Sequence, residues 1–174
     1  GLFFVANGLI EQIQTNDFFI KKINGEIHLI FSDTYNKPTI LPNIITHLVF
    51  GSNYNQPTVI PNSVTHLSFG EKYDQETIIP DSVTHLTFED CRSYTDIPIS
   101  VTHLTFGIYY NRQIVIHNSV THLTFGQYYD QQTTIPNSVT HLTFGSNYNQ
   151  QTTIPNSVTH LTFGWHYNQP TTIP

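Results

Sequence analysis

One heptapeptide pattern recurs along this chain at an almost constant interval. Its commonest form is Val-Thr-His-Leu-Thr-Phe-Gly, and its histidine recurs eight times, at steps of 19, 19, 19, 18, 19, 19 and 19 residues. A near-constant step is typical of one structural unit stacked on itself. The sequence therefore predicts an elongated repeat stack. The recurring histidines are His28, His47, His66, His85, His103, His122, His141 and His160.

The sixth unit, residues 120–138, shows how one repeat is expected to fold. Val120, Leu123 and Phe125 give the pattern L-x-x-L-x-L, the strand half of a leucine-rich repeat. Leu123 and Phe125 are two residues apart, so in a strand both point to the same face. His122 and Thr124 then point to the opposite face, toward solvent.

The rest of the unit has room for turns and extended chain only. Gly126 is expected to release the chain into a turn with an unusual φ, and six of the eight units have glycine there. Ile135 and Pro136 favour an extended return segment. The prediction is an all-β parallel solenoid with 19-residue coils, one short strand per coil, no convex helices and a rise of about 4.7–4.9 Å per coil.

The core is expected to consist of apolar columns, each running through all the coils. Counterparts of Val120, Leu123, Phe125, Tyr129 and Ile135 should stack on one another. Replacing a central phenylalanine by alanine should cost about 3–5 kcal/mol. The predicted phenylalanine column comprises Phe31, Phe50, Phe69, Phe88, Phe106, Phe125, Phe144 and Phe163.

The repeats are expected to occupy residues 26–174 and to follow an N-terminal cap, residues 1–25. Phe18, Phe19 and Ile20 suggest a strand or short helix that covers the first coil, as repeat stacks require. No cap is visible at the other end, so we expect either a longer native protein or a last coil that meets another surface. The units begin near residues 26, 45, 64, 83, 101, 120, 139 and 158.

The fourth unit departs from the pattern, since it is one residue short and has no glycine after Phe88. It gathers four charged residues in a weakly charged chain, which makes it a docking candidate. The alternative is a tolerated loop variation, which we favour because loops accept insertions and deletions. The four charged residues are Glu89, Asp90, Arg92 and Asp96.

Composition excludes several partners. Only 10% of the residues are charged and the net charge is −6, with six scattered basic residues, so we expect no nucleic-acid partner. No apolar run approaches the roughly 20 residues of a membrane span, so no membrane association is expected. Cys91 is the only cysteine, which rules out an internal disulfide and favours an intracellular protein.

The repeat resembles the FNIP repeat of social amoebae and amoeba-infecting giant viruses. The residues that carry the resemblance are Ile-Pro-Asn-Ser-Val-Thr-His-Leu-Thr-Phe-Gly-x-x-Tyr-Asn-Gln. The resemblance implies a right-handed, leucine-rich-repeat-like solenoid in the cytoplasm of an amoeba or infected host, or in a virion. Some family members carry an F-box ahead of the repeats, but residues 1–25 are too few to hold one.

The stacked histidines allow three interpretations. The first is a structural ladder of identical side chains in register. The second is a metal array, which we disfavour because threonine and leucine neighbours offer no third or fourth ligand; we therefore expect no metal site and no cofactor. The third is a pH switch, because charged imidazoles in a row repel and should open the fold near pH ~5.

Catalysis finds no support, because no unit contains a third group that would orient an imidazole as a base. We therefore expect no enzyme and no small-molecule substrate. Two functional classes remain: a protein-interaction module that uses the strand face, or a structural protein that self-associates through the solenoid ends into filaments. The expected interaction face comprises His47, His66, His85, His103, His122, His141, His160, Thr105, Thr124, Thr143 and Thr162.

Overall fold

A computed structural model describes residues 12–89 and 96–173. Within them lie ten strands and no helix. Three strands open the fold: β1 (Gln12–Gln14), β2 (Phe18–Ile23) and β3 (Glu26–Phe31). Each later repeat adds one short strand: β4 (His47–Val49), β5 (His66–Phe69), β6 (His85–Phe88), β7 (His103–Phe106), β8 (His122–Thr124), β9 (His141–Thr143) and β10 (His160–Thr162).

All ten strands belong to one sheet, in the order of the sequence. From β3 to β10 the pairing is parallel, and histidine lies opposite histidine and leucine opposite leucine throughout. The register is constant because every coil carries the same pattern of inward and outward side chains. The chain is therefore a parallel β-solenoid with coils of about 19 residues, as the sequence predicted.

The first three strands form an antiparallel meander at one edge of this sheet. β2 pairs with β3 from Phe18 opposite Phe31 to Ile23 opposite Glu26. Asn24 and Gly25 connect them with φ values of 51° and 90°, the left-handed geometry that a two-residue hairpin turn requires. β2 thus covers the edge of β3. The remainder of the expected cap, residues 1–11, lies outside the described residues.

The core consists of columns of identical side chains. In the sixth coil Val120, Leu123, Phe125 and Tyr129 are at most 2% exposed, and Ile135 is 6% exposed. Their counterparts are buried in the third, fifth and seventh coils, as are Val83, Leu86, Phe88 and Ile97 in the fourth. The phenylalanine at each coil lies with its ring parallel to the next, so the column is continuous through the stack.

The spacing of equivalent rings shows which way the stack curves. The ring centroids of neighbouring coils are 3.8–4.2 Å apart for the histidines, 5.6–6.1 Å for the phenylalanines and 6.0–6.4 Å for the core tyrosines. Successive coils are related by nearly the same rotation, so a smaller separation means a position nearer the rotation axis. The outward face of the sheet is therefore concave.

The repeat glycines do not have the unusual φ that the sequence suggested, and this expectation was wrong. Among the described residues only Asn24 and Gly25 have positive φ. The glycines are needed for close approach instead: a Cβ added to Gly126 would overlap the carbonyl oxygen of Gly107 in the preceding coil. Only a residue without a side chain lets neighbouring coils pack this closely.

A ladder of side-chain hydrogen bonds ties neighbouring coils together after five of the core tyrosines: Tyr35, Tyr54, Tyr110, Tyr129 and Tyr148. The Asn36 side-chain oxygen accepts the backbone N–H of Asn55 at 2.9 Å and the Gln56 amide at 3.0 Å. Asp130 accepts the same two bonds from Asn149 and Gln150. In each of these hydrogen bonds the asparagine acts only as an acceptor, through its side-chain oxygen. An aspartate oxygen can accept the same bonds, so aspartate can replace asparagine at this place.

Candidate interaction face

Two rows of side chains cover the concave face of the sheet. The first, the His row, contains the eight repeat histidines; they stand at the first position of β4 to β10 and at the third position of β3. The second lies two residues further along each strand and is called the hydroxyl row where it is polar. It begins with the apolar Ile30 and Val49 and continues as Ser68, Thr87, Thr105, Thr124, Thr143 and Thr162.

The imidazoles of the His row form one continuous stack. Neighbouring rings are nearly parallel, with interplanar angles of 7–17°. Their centroids lie closer than the strand spacing of about 4.8 Å, because the concave side draws them together. Most of these rings are half-buried.

A threonine holds each ring of the row in seven of the eight units. The hydroxyl of Thr121 lies 2.9 Å from Nδ1 of His122 and 3.2 Å from the carbonyl oxygen of Thr102. A hydroxyl has one proton, so when it donates to the carbonyl it accepts from Nδ1–H. A protonated imidazole imposes this arrangement, because both of its nitrogens are donors.

Burial and neighbouring imidazoles favour the uncharged form of six rings of the row. Desolvation is the largest cause that lowers the pKa of each of these six imidazoles below its ordinary value, and the charge of an adjacent histidine is the second. These six rings are therefore neutral near pH 7. The histidines with lowered pKa are His47, His66, His85, His103, His122 and His141.

The N-terminal half of the face carries a groove of about 320 Å³ with an apolar floor and an acidic rim. The Asp33 carboxylate is held there by the backbone N–H and the hydroxyl of Ser52, and these bonds lower its pKa. The concave face thus changes along its length, from apolar and acidic to hydroxyl-lined. Residues that line the groove include Ile30, Val49, Ser68, Asp33, Glu71 and Glu89.

The irregular fourth unit is only partly described. Glu89 and Asp96 are exposed. Asp90 and Arg92 lie outside the described residues, so this docking candidate stays a prediction.

Two features of the surface were missed by sequence reasoning. Glu26 stands two residues before His28 on β3, and the strand period of two would have placed both on one face. The second feature is an aliphatic stripe on the return segment, where Ile40, Val59 and Ile78 are 92%, 87% and 90% exposed. Its signal was an aliphatic residue directly before the buried isoleucine or leucine in the first three coils and in the fifth.

Comparison with known proteins identifies the repeat. The FNIP repeat pattern matches residues 35–72, 57–91, 95–128, 115–146, 131–153 and 148–174, which together span most of the chain. The chain belongs to the FNIP repeat family. No curated protein matches the sequence.

A solved structure is similar to this FNIP repeat chain. It is the giant-virus protein CroV588, described as a novel circular LRR protein structure. The two share 36% identity with a TM-score of 0.59, and the match covers 78% of this chain. The matched part is about a quarter, 26%, of the CroV588 chain. The fold is thus a leucine-rich-repeat-like scaffold, and its described residues hold no helical segment with the length and hydrophobicity of a membrane span.

Proposed function

We propose that this FNIP repeat chain is a non-enzymatic scaffold that binds a protein along its concave sheet face. The observation that carries the proposal is the pair of partly buried rows on this face, in which every coil adds one histidine and every coil from the third onward adds one hydroxyl. Solenoids use such extended concave surfaces for recognition. The imidazole edges and threonine hydroxyls supply hydrogen-bonding groups at regular intervals.

The absence of a catalytic arrangement among the described residues is consistent with a scaffold. Each ring of the row from His66 onward contacts a threonine hydroxyl and other imidazoles, and no carboxylate in the described part of the chain hydrogen-bonds to these rings. An imidazole base needs an orienting acid or a nucleophile placed for attack. A row of equivalent rings offers a surface for contact instead.

A peptide-display selection against the immobilised chain tests which surface binds. The face variant carries Thr105→Glu and Thr143→Glu, which add charges to the hydroxyl row. A matched variant carries Thr134→Glu and Thr153→Glu on the exposed return segment. We expect the selected peptides to bind the face variant much more weakly than the wild-type chain and to bind the matched variant as well as the wild-type chain.

A third variant with Ile40→Glu and Ile78→Glu tests the aliphatic stripe as the rival surface. Selected peptides should bind it as well as they bind the wild-type chain. If the peptides no longer bind this variant but still bind the face variant, the binding surface is the stripe, and the proposal for the concave face is wrong.

A second candidate, end-to-end stacking, is favoured by the outer edge of β10. The side chains of His160 and Thr162 are exposed there, whereas their counterparts in the preceding coils are half-buried. Any coil with the same 19-residue pattern would pair with this edge in the same register, whether it comes from the same polypeptide or from another copy.

Light scattering and negative-stain microscopy of the purified chain test this candidate. End-to-end stacking predicts a mass that rises with concentration, and fibres. A proline in place of Leu161 removes an N–H from this edge strand and should shorten the fibres. Monodisperse single chains at every concentration would count against stacking and leave the interaction module as the one candidate.

A further inference from the structure

The first coil differs from the others because a carboxylate joins its histidine. Glu26 and His28 lie two residues apart on β3, and His47 is the register partner of His28 on β4. One carboxylate oxygen and one nitrogen from each ring all lie within 4.8 Å of one another. We propose that Glu26, His28 and His47 form a binding site for a divalent transition metal ion such as Zn²⁺.

The donor set suits an ion of this class. Two imidazole nitrogens and one carboxylate oxygen are ligands that zinc takes at about 2.0–2.2 Å. Two atoms on one such ion therefore lie at most about 4 Å apart. The carboxylate Oε2 of Glu26 lies 3.8 Å from Nε2 of His47, too long for a hydrogen bond and within that span. The fourth coordination position is left to water or to a partner's side chain.

His47 is already oriented for this role. Its Nδ1 lies 3.0 Å from the hydroxyl of Thr46, which in turn lies 3.2 Å from the carbonyl oxygen of Ile27. When that hydroxyl donates to the carbonyl and accepts Nδ1–H, the lone pair of Nε2 faces Glu26. Metal-binding histidines are commonly held by such a bond at their other nitrogen.

His28 has the freedom that the site requires. The centroids of its ring and that of His47 are 3.8 Å apart with an interplanar angle of 17°, and because a metal ion lies in the plane of each imidazole that binds it, these two nearly parallel planes share no position for one ion. One ring must turn before both can bind one ion. Ile27 stands where the other units have threonine, so His28 lacks the anchoring hydroxyl. Its Nε2 is buried without a hydrogen-bond partner.

A carboxylate two residues before the histidine is found at one end of the His row, in the first coil. In later coils the place two residues before the histidine is a buried core residue, such as Ile45 or Val64. In the first coil β3 extends back to Glu26, which is exposed. Lys21 lies opposite His28 on β2; it is exposed, so its ammonium group can remain in water.

Calorimetric titration of the tag-free chain with Zn²⁺ tests the site. We expect one ion per chain, and Glu26→Gln should weaken binding by at least about tenfold, the lower range for loss of even an outer-shell partner. His141→Gln is the matched control, because it removes a stacked imidazole that has no carboxylate beside it. Circular dichroism confirms that each variant is folded.

A second variant tests the turning of the ring. Ile27→Thr gives His28 the hydroxyl that the other units have, and it should weaken zinc binding without removing a ligand. Three results would overturn the site: no heat of zinc binding, equal affinity in Glu26→Gln and wild type, or an equal loss in His141→Gln. Unchanged binding in Ile27→Thr would refute the proposed geometry.

Discussion

Acid is expected to destabilise this solenoid through the centre of its His row. The rings of His85 and His103 are 4.0 Å apart, and the outward positions that follow them are the uncharged Thr87 and Thr105. Two unit charges at that separation repel by about 1 kcal/mol in water and about 4 kcal/mol at an effective dielectric of 20. Because these rings are partly exposed to solvent, the lower part of that range applies.

The direction of the effect follows from the lowered pKa values. Burial and the adjacent imidazoles lower the pKa of His85 and His103 in the folded chain. The unfolded chain therefore binds more protons below its ordinary histidine value of about 6.5. The contribution of these neutral rings to the folding free energy is fully present above the histidine pKa of the unfolded chain. It is lost as the pH falls below that value toward the lowered histidine pKa of the folded chain.

Thermal unfolding between about pH 7.5 and pH 5 measures this loss. We expect the melting temperature to fall across this interval, and His103→Gln to flatten the dependence by removing one charge and separating its neighbours. His166→Gln is the control, because His166 is exposed and lies outside the row. A melting temperature that is constant over this interval, or equal flattening by both variants, would refute the reasoning.

Three further predictions concern the core. Phe125→Ala should lower the free energy of unfolding, measured in urea, by about 3–5 kcal/mol. Phe163→Ala should lower it clearly less, because Phe163 is only partly buried. Equal losses in the two variants would contradict a continuous column. Gly126→Ala should cost about 1–3 kcal/mol or more, since its Cβ meets the Gly107 carbonyl, and an unchanged urea midpoint would show that the coils do not pack so closely. Burial raises the pKa of Tyr129 to about 12, so replacing it with phenylalanine should remove a late-ionising tyrosine from an ultraviolet titration.

The repeat step and the strand period were enough to predict the sheet and the core. Leu123 and Phe125 are buried as expected, because residues two apart in a strand share a face. The parallel register followed from the equal spacing of the histidines. Both features depend only on positions along the chain, which a sequence displays directly.

The remaining features depend on how one coil lies against the next. The distance of about 4 Å between His rings follows from the rotation per coil, which no residue pattern states. The sequence suggested that Gly126 is glycine because the backbone needs an unusual φ. The structure shows that glycine is required there because the Gly107 carbonyl of the preceding coil leaves no room for a Cβ. Glu26 was overlooked because its counterparts in later coils belong to the core, and only the longer β3 brings it to the outer face.

Distances between spin labels on the concave face test the central claim most directly. In a Cys91→Ser background, cysteines at Val49 and Thr124 would be four coils apart, and at Val49 and Thr162 six coils apart. At one strand spacing per coil, the separations should be about 19 Å and at most about 29 Å, narrowly distributed. Broad distributions, or a separation that does not increase with the number of coils, would contradict a stack with one 19-residue coil per repeat.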